Sequence, residues 1–160
     1  MREIKFRFWD GTIANNCMCY TNKNGKIEYP SSGYEISMST AIAESNSTEV
    51  YHKPKSLMQY TGLKDKNGAE IYEGDIVKVP YVTPMGDLTD DEDEDKRTHV
   101  VFEDGLFALK YNSHVDTLKM FCNRKDGEYI PNYGTRKIFS DTTILEVIGN
   151  IYENPELVVS

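Results

Sequence analysis

Residues 57–79, LMQYTGLKDKNGAEIYEGDIVKV, constrain this chain more than any other stretch. Tyr60-Thr61-Gly62-Leu63 leads into Lys64-Asp65-Lys66-Asn67-Gly68, and Asn-Gly is the dipeptide best suited to a type I′ hairpin turn, in which both central residues take positive φ. Ile71-Tyr72, a second turn at Glu73-Gly74-Asp75, and the β-branched run Ile76-Val77-Lys78-Val79 ended by Pro80 complete the block. Two turns enclosing short apolar runs predict antiparallel strands: a short one near 57–61 and a stronger one over 75–80.

The same grammar recurs on both sides. Residues 2–9 alternate, with Ile4, Phe6 and Phe8 on one face and Lys5, Arg7 and Trp9 on the other, which predicts a half-buried strand. Asp10-Gly11 turns the chain, residues 13–20 form a second strand, and Asn22-Lys23-Asn24-Gly25-Lys26 is a further turn before Ile27-Glu28-Tyr29. Residues 37–45 have the spacing of one or two helical turns with Met38, Ile42 and Ala41 inward, although Ser and Thr weaken it. Residues 82–98 read as a loop, because Pro84, Gly86 and an acid run offer too little apolar surface to offset ordering. HVVFEDGLFALKY at 99–111 returns to β around Asp104-Gly105. Leu118, Met120 and Phe121 are expected in a strand, 124–128 in a turn and 131–134 in a loop. Residues 144–152 form a last strand, in which Gly149 marks a bulge or close backbone crossing. Asn154-Pro155 ends that strand, with a short turn over 155–158.

These elements predict a mainly β fold with little helix, made of short antiparallel strands. An N-terminal meander lobe spans 1–56. A barrel lobe spans 57–160, SH3-like and partly open, with a mobile acidic loop at 83–97. Abundant tyrosine, 11 residues against 6 Phe and 1 Trp, suits strands better than helix bundles.

MQYTGLKD, NG, IYEGDIV and the downstream EVIGNIYENPEL resemble the YopX family of bacteriophage and prophage proteins, and IKFRFWD fits the opening strand of that family. The similarity covers most of the chain and is weakest at 28–56 and 83–97. It implies a phage-encoded, mostly β protein in the cytoplasm of a bacterial host. It implies no catalytic residues and no cofactor, so none is carried over.

The residues themselves offer several candidate chemistries. Cys17 and Cys19 share a strand face and could meet one ion, but structural zinc wants four ligands, and Cys122, His52, His99 and His114 are scattered singly. Structural thiols are therefore expected and no metal site is assigned. Asp65-Lys66-Asn67-Gly68 resembles part of a calcium loop but has Leu63 where a ligand is required. Glu73 and Asp75 could share a strand face and do acid–base work; beside Gly74 they are expected to cap backbone amides or face water. No nucleophile elbow, zinc-protease, P-loop or dinucleotide fingerprint is present. No catalytic or cofactor-binding residue is assigned, and the expectation is a protein that is not an enzyme. Tyr60, Tyr72, Tyr81 and Tyr111 are candidate interface anchors, with covering of the sheet as the plainer role.

Charge bears on the partners. The net charge is −8, yet 87–95 hold seven acids, and without them 19 acids nearly balance 18 bases. The body shows no basic stripe of the sort that phosphate binding uses, so nucleic acid is not the expected partner. Three cysteines without an export signal point to a reducing cytosol, and no apolar run reaches membrane-spanning length. The expected function is a non-catalytic module that binds an unidentified host or phage protein, with self-association through open strand edges as a further capacity. The alternative is a nucleic-acid-associated regulator.

Overall fold

The computed structural model describes residues 4–12, 16–46, 56–82, 88–89, 96–110, 115–130 and 134–158. The acid run at 90–95, Tyr111, His52 and His114 lie outside the described residues, as do the loop positions 131–133. The chain divides into two compact units, Met1–Tyr60 and Thr61–Ser160.

In the first unit, antiparallel strands β1 (Phe6–Asp10), β2 (Cys17–Thr21), β3 (Ile27–Glu28) and β4 (Glu35–Ile36) follow one another in the sheet. Strand β5 (Ser56–Lys64) lies on the other side of β1, pairing Phe8 with Leu57. Cross-strand partners share a face, so the pairs Phe8–Cys19 and Asp10–Cys17 put Phe8, Asp10, Cys17 and Cys19 together. Phe8, Cys19, Ile27, Tyr29, Ile36 and Ala41 form this unit's core. Ala41 comes from helix α1 (Met38–Ser45), whose first turn is capped by the Ser37 hydroxyl accepting from Thr40 N–H. The helix stands where its spacing predicted, and Ala41 and Met38 do turn inward. Ile42 does not: it is 47% exposed. The expectation of a half-buried first strand also fails, since Arg7 and Trp9 are buried as well as Phe8 and Asp10. The guanidinium of Arg7 donates to Met58 Sδ at 3.6 Å.

The second unit holds a five-stranded antiparallel sheet in the order β12 (Val115–Thr117), β11 (Leu106–Lys110), β10 (Lys96–Glu103), β7 (Asp75–Val79), β15 (Glu146–Asn150). It is curved but does not close into a barrel, and β12 and β15 are its edges. Ile71 from β6 (Glu70–Tyr72), Val77, Val79, Val100, Leu109, Leu118 and Leu145 fill the core on one face. A small hairpin, β8 (Tyr81–Val82) with β9 (Leu88–Thr89), and a long one, β13 (Cys122–Ile130) with β14 (Gly134–Thr143), complete the described strands.

Three expectations are corrected here. Residues 118–121 form a 3-10 turn, η1 (Leu118–Phe121), in place of a strand. Residues 124–128 are strand, not turn: Asp126-Gly127 looks like a turn dipeptide, but the β13–β14 register shifts between Asp126 and Tyr129, so an irregularity in the ladder takes up the glycine. Lys96, Arg97, Leu88 and Thr89, all within the expected loop, lie on strands.

The turns separate into two chemistries. At Asp104-Gly105 both residues take positive φ, 50° and 79°, as a two-residue type I′ connection requires. At Asn67-Gly68 only the glycine does, with φ 90°, so that turn is not type I′. Asp65 Oδ1 there accepts from Asn67 N–H and Ala69 N–H, each at 2.8 Å, and Gly68 N–H reaches Asp65 O. Asn22 builds the same turn upstream: its Oδ1 accepts from Asn24 N–H at 3.0 Å and Lys26 N–H at 3.1 Å, with Gly25 at positive φ. The two differ in what else they hold. Asp65 Oδ2 also accepts from Val147 N–H at 3.2 Å, and Lys66 N–H donates to Leu145 O at 2.8 Å.

Asp65 is 2% exposed and satisfies three backbone amides, so Asp65→Ala should lower unfolding stability by about 3 kcal/mol, the sum expected when buried donors lose a charged acceptor. The matching Asn22→Ala, at an exposed turn, should cost under about 1 kcal/mol. Chemical denaturation of both variants checks this, Asn22→Ala also losing the bonds from Asn22 Nδ2 to Glu28 and Glu35; a loss at Asp65→Ala no larger than that at Asn22→Ala would count against the long-range bond to Val147. Gly149 gives a second check. Its predicted bulge is present as a register shift between Val147 and Gly149, and a Cβ there would stand 2.6 Å from Asn154 Oδ1. Gly149→Ala should therefore destabilise by about 1–3 kcal/mol through overpacking, and Gly149→Ala combined with Asn154→Ala should recover part of that loss.

Candidate interaction surface

The carboxylates of Asp65 and Asp75 are engaged within the fold, whereas the buried His99 Nδ1 has no hydrogen-bond partner among the described residues. Asp75 Oδ2 accepts from Tyr72 N–H at 2.7 Å, so this carboxylate caps the turn it follows. Gly74, at φ 79°, donates its N–H to Val100 O and accepts from Ile151 N–H, extending the ladders on both sides of β7. Glu73 and Asp75 are thus part of a structural turn.

The sulfur and imidazole groups fall in separate places. Cys17 and Cys19 are in the first unit with Sγ atoms 3.8 Å apart, and Cys122 is in the second, its Sγ 3.8 Å from Leu118 O. Burial pushes the Cys19 thiol far above its usual range, helped by the neighbouring Cys17 thiol and the Asp10 carboxylate. Burial also raises the Cys122 thiol, against the opposing charge of Lys119. Tyr29 donates to Asp10 Oδ2 at 2.8 Å, and burial first, then this bond, push its hydroxyl above the usual tyrosine value. Among the described residues no three His, Cys, Asp or Glu side chains cluster as metal ligands.

Of the four candidate tyrosine anchors, the two whose side chains are described are not on the surface. Tyr60 and Tyr72 are buried; the ammonium of Lys5 lies 5.5 Å from the Tyr60 ring centre, and Tyr72 donates to Glu70 Oε2. The side chain of Tyr81 and all of Tyr111 lie outside the described residues. The exposed apolar side chains are others. Phe102, opposite Phe107 across the β10–β11 hairpin, is 50% exposed, Leu106 is 55% exposed and Met120 in η1 is 70% exposed. The Phe102 and Phe107 rings pack tilted with centroids 5.0 Å apart, and Phe107 continues into the core.

Register places these three side chains at one end of the sheet, with Leu106, the partner of Glu103, on the face away from Phe102 and Phe107. Thr117 pairs with Ala108, so η1, which follows Thr117 directly, continues toward the Leu106 end of β11. The hairpin tip and η1 therefore share one end of the sheet, and the tip adds the exposed acids Glu103 and Asp104. Period-two reading of 99–111 located this hairpin but could not tell which apolar residues lay beyond the core's reach. The signal was available in one place: Phe102 and Leu106 flank the turn, where no further strand can cover them.

His99 lies between Ile76 and Lys110 in the sheet. Burial, and secondarily the Lys110 ammonium, lower its affinity for a proton below the ordinary value of 6.5. The unfolded chain then binds the proton more readily than the folded one. The contribution is full above pH 6.5 and is lost as pH falls through the window below it. His99→Gln should flatten the fall of Tm below pH 6.5 relative to the parent; parallel Tm profiles for the two would count against it.

A family model described as YopX protein matches residues 5–159 of this chain. The structure is similar to the crystal structure of protein EF1440 from Enterococcus faecalis, with 26% identity, 99% of this chain and 100% of that one covered, and a TM-score of 0.53. A similarity to the crystal structure of protein YopX from Bacillus subtilis has 22% identity, 99% and 100% coverage and a TM-score of 0.46. No curated protein matches. Among the described residues no helix is long and apolar enough to cross a membrane.

Proposed function

The chain belongs to the YopX family, and from that premise we propose that it is a phage- or prophage-encoded, non-catalytic interaction module that binds a host or phage protein in the bacterial cytoplasm. The observation that carries this reading is the exposure of Phe102, Leu106 and Met120 at one end of the five-stranded sheet, with Phe102 and Leu106 on opposite faces of the hairpin tip. Single exposed apolar side chains are ordinary, whereas several at one hairpin tip, on both of its faces, offer a projection that a partner can enclose. The fold supports the reading in a second way. Asp10, Asp65 and Asp75 are buried and accept hydrogen bonds from Tyr29 or from backbone amides, which commits them to structure. The sheet edge β12 adds a capacity for self-association.

The experiment is affinity capture from phage-infected cells with the parent chain and with the triple variant Phe102→Ser, Leu106→Ser, Met120→Ser. The parent should retain a protein that the triple variant loses by at least about tenfold, while the Tm of the variant stays close to the parent because these side chains are exposed. Equal capture by both would remove the patch from the account. Salt-dependent retention of the parent on a DNA or RNA column would instead favour a nucleic-acid-associated regulator.

A further inference from the structure

We propose that two copies of this chain associate through the outer face of β10 and β11, about a two-fold axis that sets Arg97 of each copy against Glu103 of the other. The carrying observation is a separation of charge along one strand face. Val100 of β10 enters the core and Thr98 is buried on the same side, so Arg97, His99, Val101 and Glu103 point to the opposite, outer face. That row begins with an exposed cation and ends with an exposed anion, and Val101 between them is half-buried. Six residues of extended strand hold the two charges about 20 Å apart.

Register extends the pattern to the neighbouring strands. Lys110 is exposed and pairs with His99, toward the basic end; Leu106 is exposed and pairs with Glu103 at the acidic end. Val115 of β12, the partner of Lys110, is exposed as well. Among the described residues Arg97, Lys110 and Glu103 make no ion pair. The cross-strand partner of Arg97 is Lys78, a like charge, and that arrangement is unfavourable until an anion approaches it.

The chain itself carries a suitably placed anion. An isologous contact needs a surface that complements its own image. A row with a cation at one end and an anion at the other does so when the second copy runs antiparallel over it. With the axis crossing β10 midway between Arg97 and Glu103, each Arg97 meets the second copy's Glu103, and Lys110 lies diagonal to the same carboxylate. Sheets stack about 10 Å apart, a gap that long charged side chains reaching from both sides can span.

The rest of this face favours a second copy over other occupants. A Cβ on Gly149 would stand 2.6 Å from Asn154 Oδ1, so the chain's own terminal turn lies over Gly149, the partner of the fully buried Ile76. The exposed half of the face is the β10–β12 side. A nucleic-acid strand fits it less well: the cations give way along β10 to Glu103 and Asp104, and no Phe, Tyr or Trp of these strands faces this way for a base to stack on. The contact uses the face of the sheet, not the edge β12, and it stands apart from partner binding at the hairpin tip.

The test is sedimentation equilibrium of the full chain over a concentration series at low salt, with the parent, Arg97→Glu, Glu103→Arg and the two substitutions combined. The parent should show a monomer–dimer equilibrium that weakens as salt is raised. Each single reversal brings like charges together at two symmetry-related places and should weaken dimerisation by at least about tenfold. The combined variant exchanges the charged ends and should recover most of that loss. Both residues are exposed, so the Tm of every variant should stay close to the parent. A parent that is monomeric at every concentration, a dimer indifferent to both single reversals, or a combined variant no better than either single one would each overturn the proposal, and each would leave the capture experiment at the hairpin tip unaffected.

Discussion

One carboxylate ties the second unit together. Asp65 is a turn residue by sequence, yet its two oxygens reach three backbone amides, and one of them belongs to Val147, 82 positions away. A side chain that serves its own turn and a distant strand converts a local preference into a long-range restraint. The backbone repeats the connection through Lys66 N–H and Leu145 O, and the Leu145 side chain enters the core between those bonds. The late strand β15 is thereby fixed against the early hairpin, and its ladder with β7 follows. Buried acceptors of this kind are costly to lose because the amides they serve have few alternatives.

Gly74 is the complementary device. Its positive φ lets the chain turn between β6 and β7, and both of its backbone groups bond outward, to Val100 and to Ile151. With Asp75 capping Tyr72, the sequence Tyr72-Glu73-Gly74-Asp75 closes one end of the central strand. The resemblance block 58–77 therefore coincides with the part of the fold that determines where β10 and β15 lie, which is a structural reason for those residues to stand together.

Much of this was readable from residue pattern. The mainly β character, the Asp104-Gly105 hairpin, the Gly149 bulge and the short turn after Pro155 all rest on local physics: φ restriction, period two, or a missing N–H. The failures are of one kind. Alternation shows that a strand has two faces but not that the second face is covered, so Arg7 and Trp9 were placed outside and are buried. Asn67-Gly68 carries the dipeptide of one turn and adopts another, because Asp65 two residues earlier offers an oxygen to the amides, a choice the dipeptide rule does not weigh. Asp126-Gly127 signals a turn but sits in an irregular strand, since β13 and β14 continue beyond it and pairing overrides the local preference. The surface group at Phe102, Leu106 and Met120 depends on register between three elements, and no single stretch encodes it.

The same distinction explains why the tyrosines misled. A tyrosine on a strand can cover the sheet or reach a partner, and sequence position does not separate these roles. Tyr60 and Tyr72 resolve toward the interior because each has a polar neighbour at hand, the Lys5 ammonium for one ring and the Glu70 carboxylate for the other hydroxyl. A buried tyrosine hydroxyl usually finds a partner, and for Tyr72 it is Glu70 of the same unit, while the Lys5 ammonium lies against the face of the Tyr60 ring. Phe102 has no polar end and no strand beyond the hairpin turn to cover it. Half its surface therefore stays open while Phe107, directly opposite, is drawn into the core. Exposure on this sheet follows from where neighbouring elements stop.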